Sequence, residues 1–261
     1  MTLNPQNRSV LAVVGVGPGI GESVSRHFAA KGFSVALIAR TESKLVTIQD
    51  SIRAAYGVHS AKYYVADVRD ESSIIATFAA IKSDLGKVSV LVYNAGSRRI
   101  RGRSLVETPS AEFEDFVKIN MMGAYYATKV VIPDMLEAGK GTILFTGATA
   151  SIRGSPGLGG FSPGKFGLRA LAQIVAREFQ ASGIHAVHVL VDGPVESDII
   201  GSVVRKRWEK EGEEKLKEKD RYLMQPEDLA KVYWYLHEQP RSTWTQELDV
   251  RAQRETMFSK F

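Results

Sequence analysis

Seven short runs rich in β-branched and apolar residues, at 10–14, 34–39, 62–66, 88–93, 142–146, 186–191 and 247–250, alternate with stretches of helical length. Strands that are apolar at nearly every position are buried on both faces, and such strands belong to parallel sheets with helices on each side. Between the first two runs, Ile20, Val24 and Phe28 fall four residues apart and Gly32 supplies a left-handed stop, so a first βαβ unit closes by residue 39. Further helices are expected at about 42–56, 72–85, 111–137 and 163–180, with Pro133 kinking or ending the third of these four. Right-handed crossovers then wind an open, doubly wound α/β sheet of about seven strands, whose ligands lie at the carboxyl ends of the strands.

The 261 residues carry no internal repeat and no linker rich in Pro, Gly or Ser, so 1–261 is read as one domain. The segment at about 197–225, dense in Lys, Arg and Glu, is read as a helical excursion, either a solvated surface helix or a lid over the site upstream of it. Cysteine is absent, which removes disulfides, thiolate metal sites and thiol nucleophiles, and no cluster of His, Asp and Glu has metal-ligand spacing. The net charge of +5 is spread among acids and not gathered on one element, against a nucleic-acid partner. No run reaches the ~18 apolar residues of a membrane span, so no membrane partner is expected and a soluble, cytoplasmic protein is.

Directly after the first strand stand Gly15, Gly17, Gly19, Ile20 and Gly21, opening a helix. Bare glycines let the chain turn sharply and let a pyrophosphate approach the helix N-terminus, where unpaired N–H groups point outwards. A dinucleotide site is the reading. Here the sequence resembles the short-chain dehydrogenase/reductase superfamily, whose first motif is TGxxxGxG: Gly15, Gly19 and Gly21 match and Val14 replaces the Thr. Ala66, Asp67 and Val68 match the segment that contacts adenine in that family. Asn94, Ala95 and Gly96 match its NNAG motif, with Tyr93 for the first Asn. Asn120 and Lys165 match its structural Asn and the Lys of YxxxK, and residues 191–197, with Gly193, Val195 and Ser197, resemble PGxVxT with Asp192 for Pro. The resemblance, over about residues 10–250, implies a Rossmann-like fold, an oxidoreductase acting on a small-molecule substrate, and homodimers or homotetramers built partly through segments 226–237 and 247–250.

The second strand ends in Arg40, followed by Thr41 and Lys44, with Glu42 the only nearby acid. An acid at that point would bond a ribose 2′-hydroxyl and an Arg would attract a 2′-phosphate, so NADP(H) is favoured over NAD(H). In the family a Tyr phenol gives a proton to the carbonyl oxygen, a Lys lowers that phenol's pKa and holds the ribose, and a Ser positions the substrate oxygen. By alignment Phe161 takes the Tyr place, and Ala148, thirteen residues earlier, takes the Ser place. Both are expected in the substrate pocket, and neither offers a hydrogen bond.

Three functions fit this pattern: an NADP(H)-dependent oxidoreductase with an altered site, a dinucleotide-binding sensor or partner-binding module without turnover, and a non-redox enzyme in the same pocket. Lys165 and Asn120 are the retained catalytic candidates. Asp192 and Glu196 are read either as carboxylates near the nicotinamide, able to stabilise a cation or shuttle a proton, or as loop residues. The hydroxyls of Thr146, Thr149, Ser151, Ser155 and Ser162 are poor substitutes for a phenol and are read as turn and cap residues. Arg98, Arg99, Arg101 and Arg103 either attract a substrate anion or form an exposed loop or a subunit contact. His185 and His188, three apart on one strand, cannot share a face and are read as structural.

Overall fold

In the computed structural model, residues 8–97, 103–197, 206 and 219–254 are described. Strands β1 (Val10–Val14), β2 (Ser34–Ala39), β3 (Ala61–Val65), β4 (Val88–Tyr93), β5 (Gly141–Thr146), β6 (Ile184–Val191) and β7 (Glu247–Val250) form one sheet. Its order is β3-β2-β1-β4-β5-β6-β7 and every pairing is parallel. The order reverses between β1 and β4, the switch point at which doubly wound sheets bind ligands.

Side-chain alternation divides the core into two layers. Val10, Ala12 and Val14 of β1 point to one face with Leu91 and Phe145, while Leu11 and Val13 point to the other with Val35 and Leu144. Helices α3 (Glu71–Asp84), α5 (Gly123–Ala138) and α6 (Phe161–Phe179) cover the first face. Helices α1 (Ile20–Ala30), α2 (Glu42–Tyr56) and α7 (Pro226–Glu238) cover the second. Gly32 has φ +91° and its N–H bonds the carbonyl of Ala29 at 3.0 Å, ending α1 as its sequence demands. Asp70 caps α3, accepting from the Ser72 N–H at 2.9 Å.

Two helices differ from the sequence expectation. Helix α4 (Ser110–Val117) runs into a π-helical turn (Lys118–Met122) and on into α5, and Pro133 lies inside α5, which continues to Ala138. Pro133 therefore does not end the helix: it removes one backbone bond, while buried Val131 and Met135 on either side keep the segment docked. Helix α6 begins at Phe161, so Pro163 falls in its first turn, where a missing N–H costs no intrahelical bond. Of the excursion at 197–225, residues 198–205 and 207–218 lie outside the described residues. No helix among the described residues is long and apolar enough to cross a membrane.

The histidines of β6 face opposite ways. His185 stacks on Trp244 at 4.7 Å between centroids and bonds the carbonyl of Thr245, whereas His188 is enclosed between Ser151 and Glu247. Burial holds His188 neutral, its pKa depressed from 6.5 to about 4 despite Glu247. Because the folded value lies below the unfolded one, the unfolded chain binds the extra proton first, and stability present above pH 6.5 is lost as pH falls towards 4. The expected loss from this residue is roughly 3 kcal/mol, read by urea unfolding between pH 7 and pH 4, and it should shrink in His188→Gln.

Candidate functional site

The loop from β1 to α1 is closed by contacts that only glycine permits. Gly15 has φ +94°, and a Cβ there would overlap the backbone of Ala95, so the β4 loop lies directly against it. A Cβ on Gly21 would sit 2.8 Å from the Gly15 carbonyl oxygen, which lets α1 start against its own loop. The two loops are tied further by the Asn94 N–H to the Val14 carbonyl at 2.8 Å and Asn94 Nδ2 to the Gly15 carbonyl at 2.9 Å. A Cβ on Gly17 or Gly19 would meet nothing within 4 Å, so that side of the loop is open.

That open side borders two clefts of about 280 Å³ each, which share Pro18 and Asn94. The first is lined by Gly15, Gly17, Asp67, Val68, Ala95 and Gly96 at its inner wall. Arg40, Thr41 and Lys44 line its outer end. Glu42 does not line it; its carboxylate accepts the Tyr63 hydroxyl at 2.8 Å. Asp67 accepts a two-nitrogen contact from Arg69, which keeps its carboxyl below the usual carboxylate range. The second cleft is lined by Gly19 and Ile20 on one side and by Thr146, Gly147 and Ala148 on the other. Gly193, Val195, Glu196 and Ser197 close it.

Behind the clefts, three sequence-predicted residues come together. Lys165 is buried and its Nζ donates to the Thr146 carbonyl at 2.8 Å. Asn120, in the π turn, donates to Ser97 Oγ at 2.7 Å and to the Phe116 carbonyl at 2.8 Å. Its Oδ1 is buried with no hydrogen-bond partner among the described residues. Gly96 lies between them: its Cβ position is 3.7 Å from Asn120 Oδ1 and 3.9 Å from Lys165 Nζ. An unpaired buried acceptor beside an ammonium group is costly unless a ligand or water completes it, and π turns recur at such places.

Ala148 and Phe161 share a small apolar cluster with Phe116 and Ala150. Of the two residues expected in the substrate pocket, Ala148 lines the second cleft, whereas Phe161 does not: packed on Phe116 at the start of α6, it lines a separate recess of about 10 Å³ with residues 157–160. Nearby hydroxyls are engaged elsewhere: Thr146 with the buried Tyr233 hydroxyl at 2.7 Å, Thr149 with Asp192 and Ser162 with the Arg153 carbonyl.

Of the two readings of Asp192, the geometry agrees with the loop residue and not with an available carboxylate: it is fully buried, with Oδ2 on both Arg153 and Arg251 and Oδ1 on Thr149. Enclosed by those two guanidinium groups and the Thr149 hydroxyl, it does not line the second cleft. Sequence spacing gave no sign of these arginines, which lie 39 and 59 residues away. Arg98, Arg99 and Arg101 lie outside the described residues, and Arg103 pairs with Glu112 at 2.6 Å. Among the described residues no three His, Cys, Asp or Glu side chains gather as metal ligands.

The family model for short chain dehydrogenases matches residues 9–208. A short-chain dehydrogenase/reductase of Armillaria gallica is 30% identical over 191 residues, covering 72% of this chain and 71% of that protein. A very-long-chain 3-oxoacyl-CoA reductase of Aspergillus oryzae is 31% identical over 173 residues, 66% of this chain, and this chain spans only 50% of that protein's length. Among solved structures, an actinorhodin polyketide ketoreductase with NADPH superposes with a TM-score of 0.80 at 28% identity, covering 95% of this chain and 97% of its own. With the seven-stranded parallel sheet, the glycine loop at its switch point and these matches, the chain belongs to the short-chain dehydrogenase/reductase family, a family of oxidoreductases.

Proposed function

We propose that the protein is a single-domain NADP(H)-dependent oxidoreductase in which Phe161 and Ala148 occupy the places of the family's Tyr and Ser. The observation that carries this is the first cleft: a glycine wall at one end, Arg40, Thr41 and Lys44 at the other, and the neighbouring acid Glu42 turned onto Tyr63. A dinucleotide fits it, since the loop is open at Gly17 and Gly19, where a Cβ would meet nothing, and the basic rim suits a 2′-phosphate. The NADPH of the ketoreductase neighbour supports the same choice. Gly15, Gly17 and Gly19 would approach the pyrophosphate, Asp67 and Val68 the adenine, and Gly193, Val195 and Ser197 the nicotinamide end, with Ile20 and Asn94 between. Lys165 and Asn120 back the ribose next to the nicotinamide. Arg40→Ala is expected to weaken NADPH binding by about 10–100-fold, the worth of a charge-assisted bond, while NADH binding changes less than about twofold; titration calorimetry reads both.

A bound nicotinamide supplies or accepts the hydride. The protein's own contribution is orientation and exclusion of water, because Ala148 and Phe161 bring no proton donor to the substrate side. Hydride addition to a simple ketone leaves an alkoxide that needs a proton at once. Addition to an iminium ion gives a neutral amine, and addition to the β-carbon of an activated enone gives an enolate that takes its proton from water afterwards. The preferred acceptors are therefore of these two kinds. The test is NADPH oxidation against matched panels of enones, cyclic iminium ions and ketones: faster enone or iminium turnover is expected, and faster simple-ketone turnover would overturn the reading. Tight NADPH binding with no turnover on any panel would support a nucleotide-binding module instead. Self-association is part of the proposal: Tyr125, Phe166 and Ile174 are 41%, 43% and 51% exposed on α5 and α6, an apolar face suited to another copy.

A further inference from the structure

Three side chains that the proposed reaction does not use form a continuous hydrogen-bonded file behind the second cleft. The Ala148 N–H donates to Ser151 Oγ at 3.1 Å. Ser151 Oγ lies 3.1 Å from His188 Nε2, and His188 Nδ1 lies 2.9 Å from Glu247 Oε2. Glu247 is clamped in turn by Arg169 of α6, at 2.7 and 2.8 Å. The register explains the arrangement: His188 on β6 and Glu247 on β7 are direct cross-strand partners, and Arg169 lies one helical turn after Lys165.

The polarity of the file is determined. A carboxylate only accepts, so His188 Nδ1 carries the proton, Nε2 accepts from the Ser151 hydroxyl, and the Ser151 oxygen accepts from Ala148. Each link from Ala148 to Glu247 then has one donor and one acceptor, and Glu247 Oε2 accepts from Arg169 Nε as well. Ser151 is fully buried behind Ala148, so none of the three touches a ligand in the cleft. What they hold is the backbone of residues 147 and 148, which lines it. The contact is close: a Cβ on Gly147 would overlap His188 Nε2, so the loop lies directly on the imidazole.

We propose that Ser151, His188 and Glu247 are positioning residues that fix the Gly147–Ala148 wall of the nicotinamide end of the cleft, and that they act on this end and not on the adenosine end. The proposal rests on the reading of the cleft as a dinucleotide site. The groups facing His188 are Glu247 from β7, Lys165 and Arg169 from α6, and Ser151 from the loop after β5. Protonating His188 makes Nε2 a donor and leaves the Ser151 hydroxyl proton without its acceptor, so the file is fully satisfied and the wall best held while His188 is neutral.

The test compares two probes by calorimetry: NADPH, which reaches both ends, and adenosine 2′,5′-bisphosphate, which reaches one. Ser151→Ala and Glu247→Ala are each expected to weaken NADPH by about 3–10-fold, the loss of one hydrogen bond, with the bisphosphate changed less than about twofold. Glu247→Gln, which keeps a carbonyl for His188 Nδ1–H, should restore most of the affinity. The double variant should be no weaker than Ser151→Ala alone, since both break one chain. The wild-type NADPH affinity should also fall more steeply below about pH 5 than that of Ser151→Ala, both sharing the decline that protonation of the 2′-phosphate brings. Equal weakening of both probes, or of neither, would overturn the proposal. Failure of the wild-type protein to bind either probe would remove the dinucleotide reading, and this inference with it. Glu247 lies on the partly exposed edge strand, so its variants keep the test alive if Ser151→Ala does not fold.

Discussion

Replacing Phe161 with Tyr and Ala148 with Ser in the same chain is expected to raise NADPH-dependent reduction of simple ketones by about 10²–10⁴-fold, the usual contribution of a general acid. The retained parts are in place. Lys165 follows Phe161 by one helical turn on α6, so the two side chains lie on the same helix face. The Lys165 ammonium is anchored on the Thr146 carbonyl, and Ala148 is the second residue after Thr146. Phe161 and Ala148 meet in one apolar cluster, so a phenol installed alone would be buried there without a partner, at a cost of ~1–3 kcal/mol. A serine at 148 supplies that partner, which is why the pair is expected to outperform Phe161→Tyr by itself. Steady-state kcat/KM for a panel of ketones measures the gain. Rates equal to those of the unaltered protein, with thermal stability intact, would mean that the missing phenol is not what limits the reaction.

Asp192→Ala is expected to be strongly destabilising, at about 3–5 kcal/mol, because it removes the buried carboxylate that joins Arg153 to Arg251, although Arg251 keeps Asp249. Asp192 is fully buried at the carboxyl end of β6, and its N–H bonds the Val250 carbonyl at 3.0 Å. Arg153 precedes α6 and Arg251 follows β7, so one carboxylate joins three segments that meet at the cleft. The side chains of Arg153 and Arg251 are 24% and 38% exposed, so solvent relieves part of their charge and the loss should fall towards the lower end of the range. Asp192→Asn keeps hydrogen-bond acceptors and should cost less than Asp192→Ala. Urea unfolding at pH 7 reads both. A loss below about 1 kcal/mol for Asp192→Ala would show that the network does not hold these segments together.

The parts of this molecule that follow from local pattern were legible in the sequence. Strands β1, β2 and β4 fall on the expected residues because a strand buried on both faces leaves a nearly uninterrupted apolar run, and β7 does so as a half-exposed edge strand whose polar and apolar residues alternate. Strand β6 starts at Ile184, two residues before its expected start, because His185 reads as polar, yet its ring is buried by stacking on Trp244. The glycine loop was legible because its chemistry is local: φ near +94° at Gly15 and a backbone contact that admits no Cβ. The role of Asp192 was not, since its partners come from β5–α6 and from the end of β7, and ion pairs across such distances leave no periodicity. The same holds for the file from Ser151 to Glu247, in which each residue alone has an ordinary reading as turn, core or surface residue. The π turn that carries Asn120 was also hidden, because one extra residue in a long helix leaves the apolar spacing nearly unchanged.

The central claim is that the cleft beside the glycine loop holds a 2′-phosphorylated pyridine dinucleotide. Titration calorimetry of the folded protein with NADPH and with NADH tests it most directly. One NADPH per chain, bound at least about tenfold more tightly than NADH, is the predicted result. No heat with either nucleotide from protein whose circular dichroism shows it folded, or tighter binding of NADH, would contradict it.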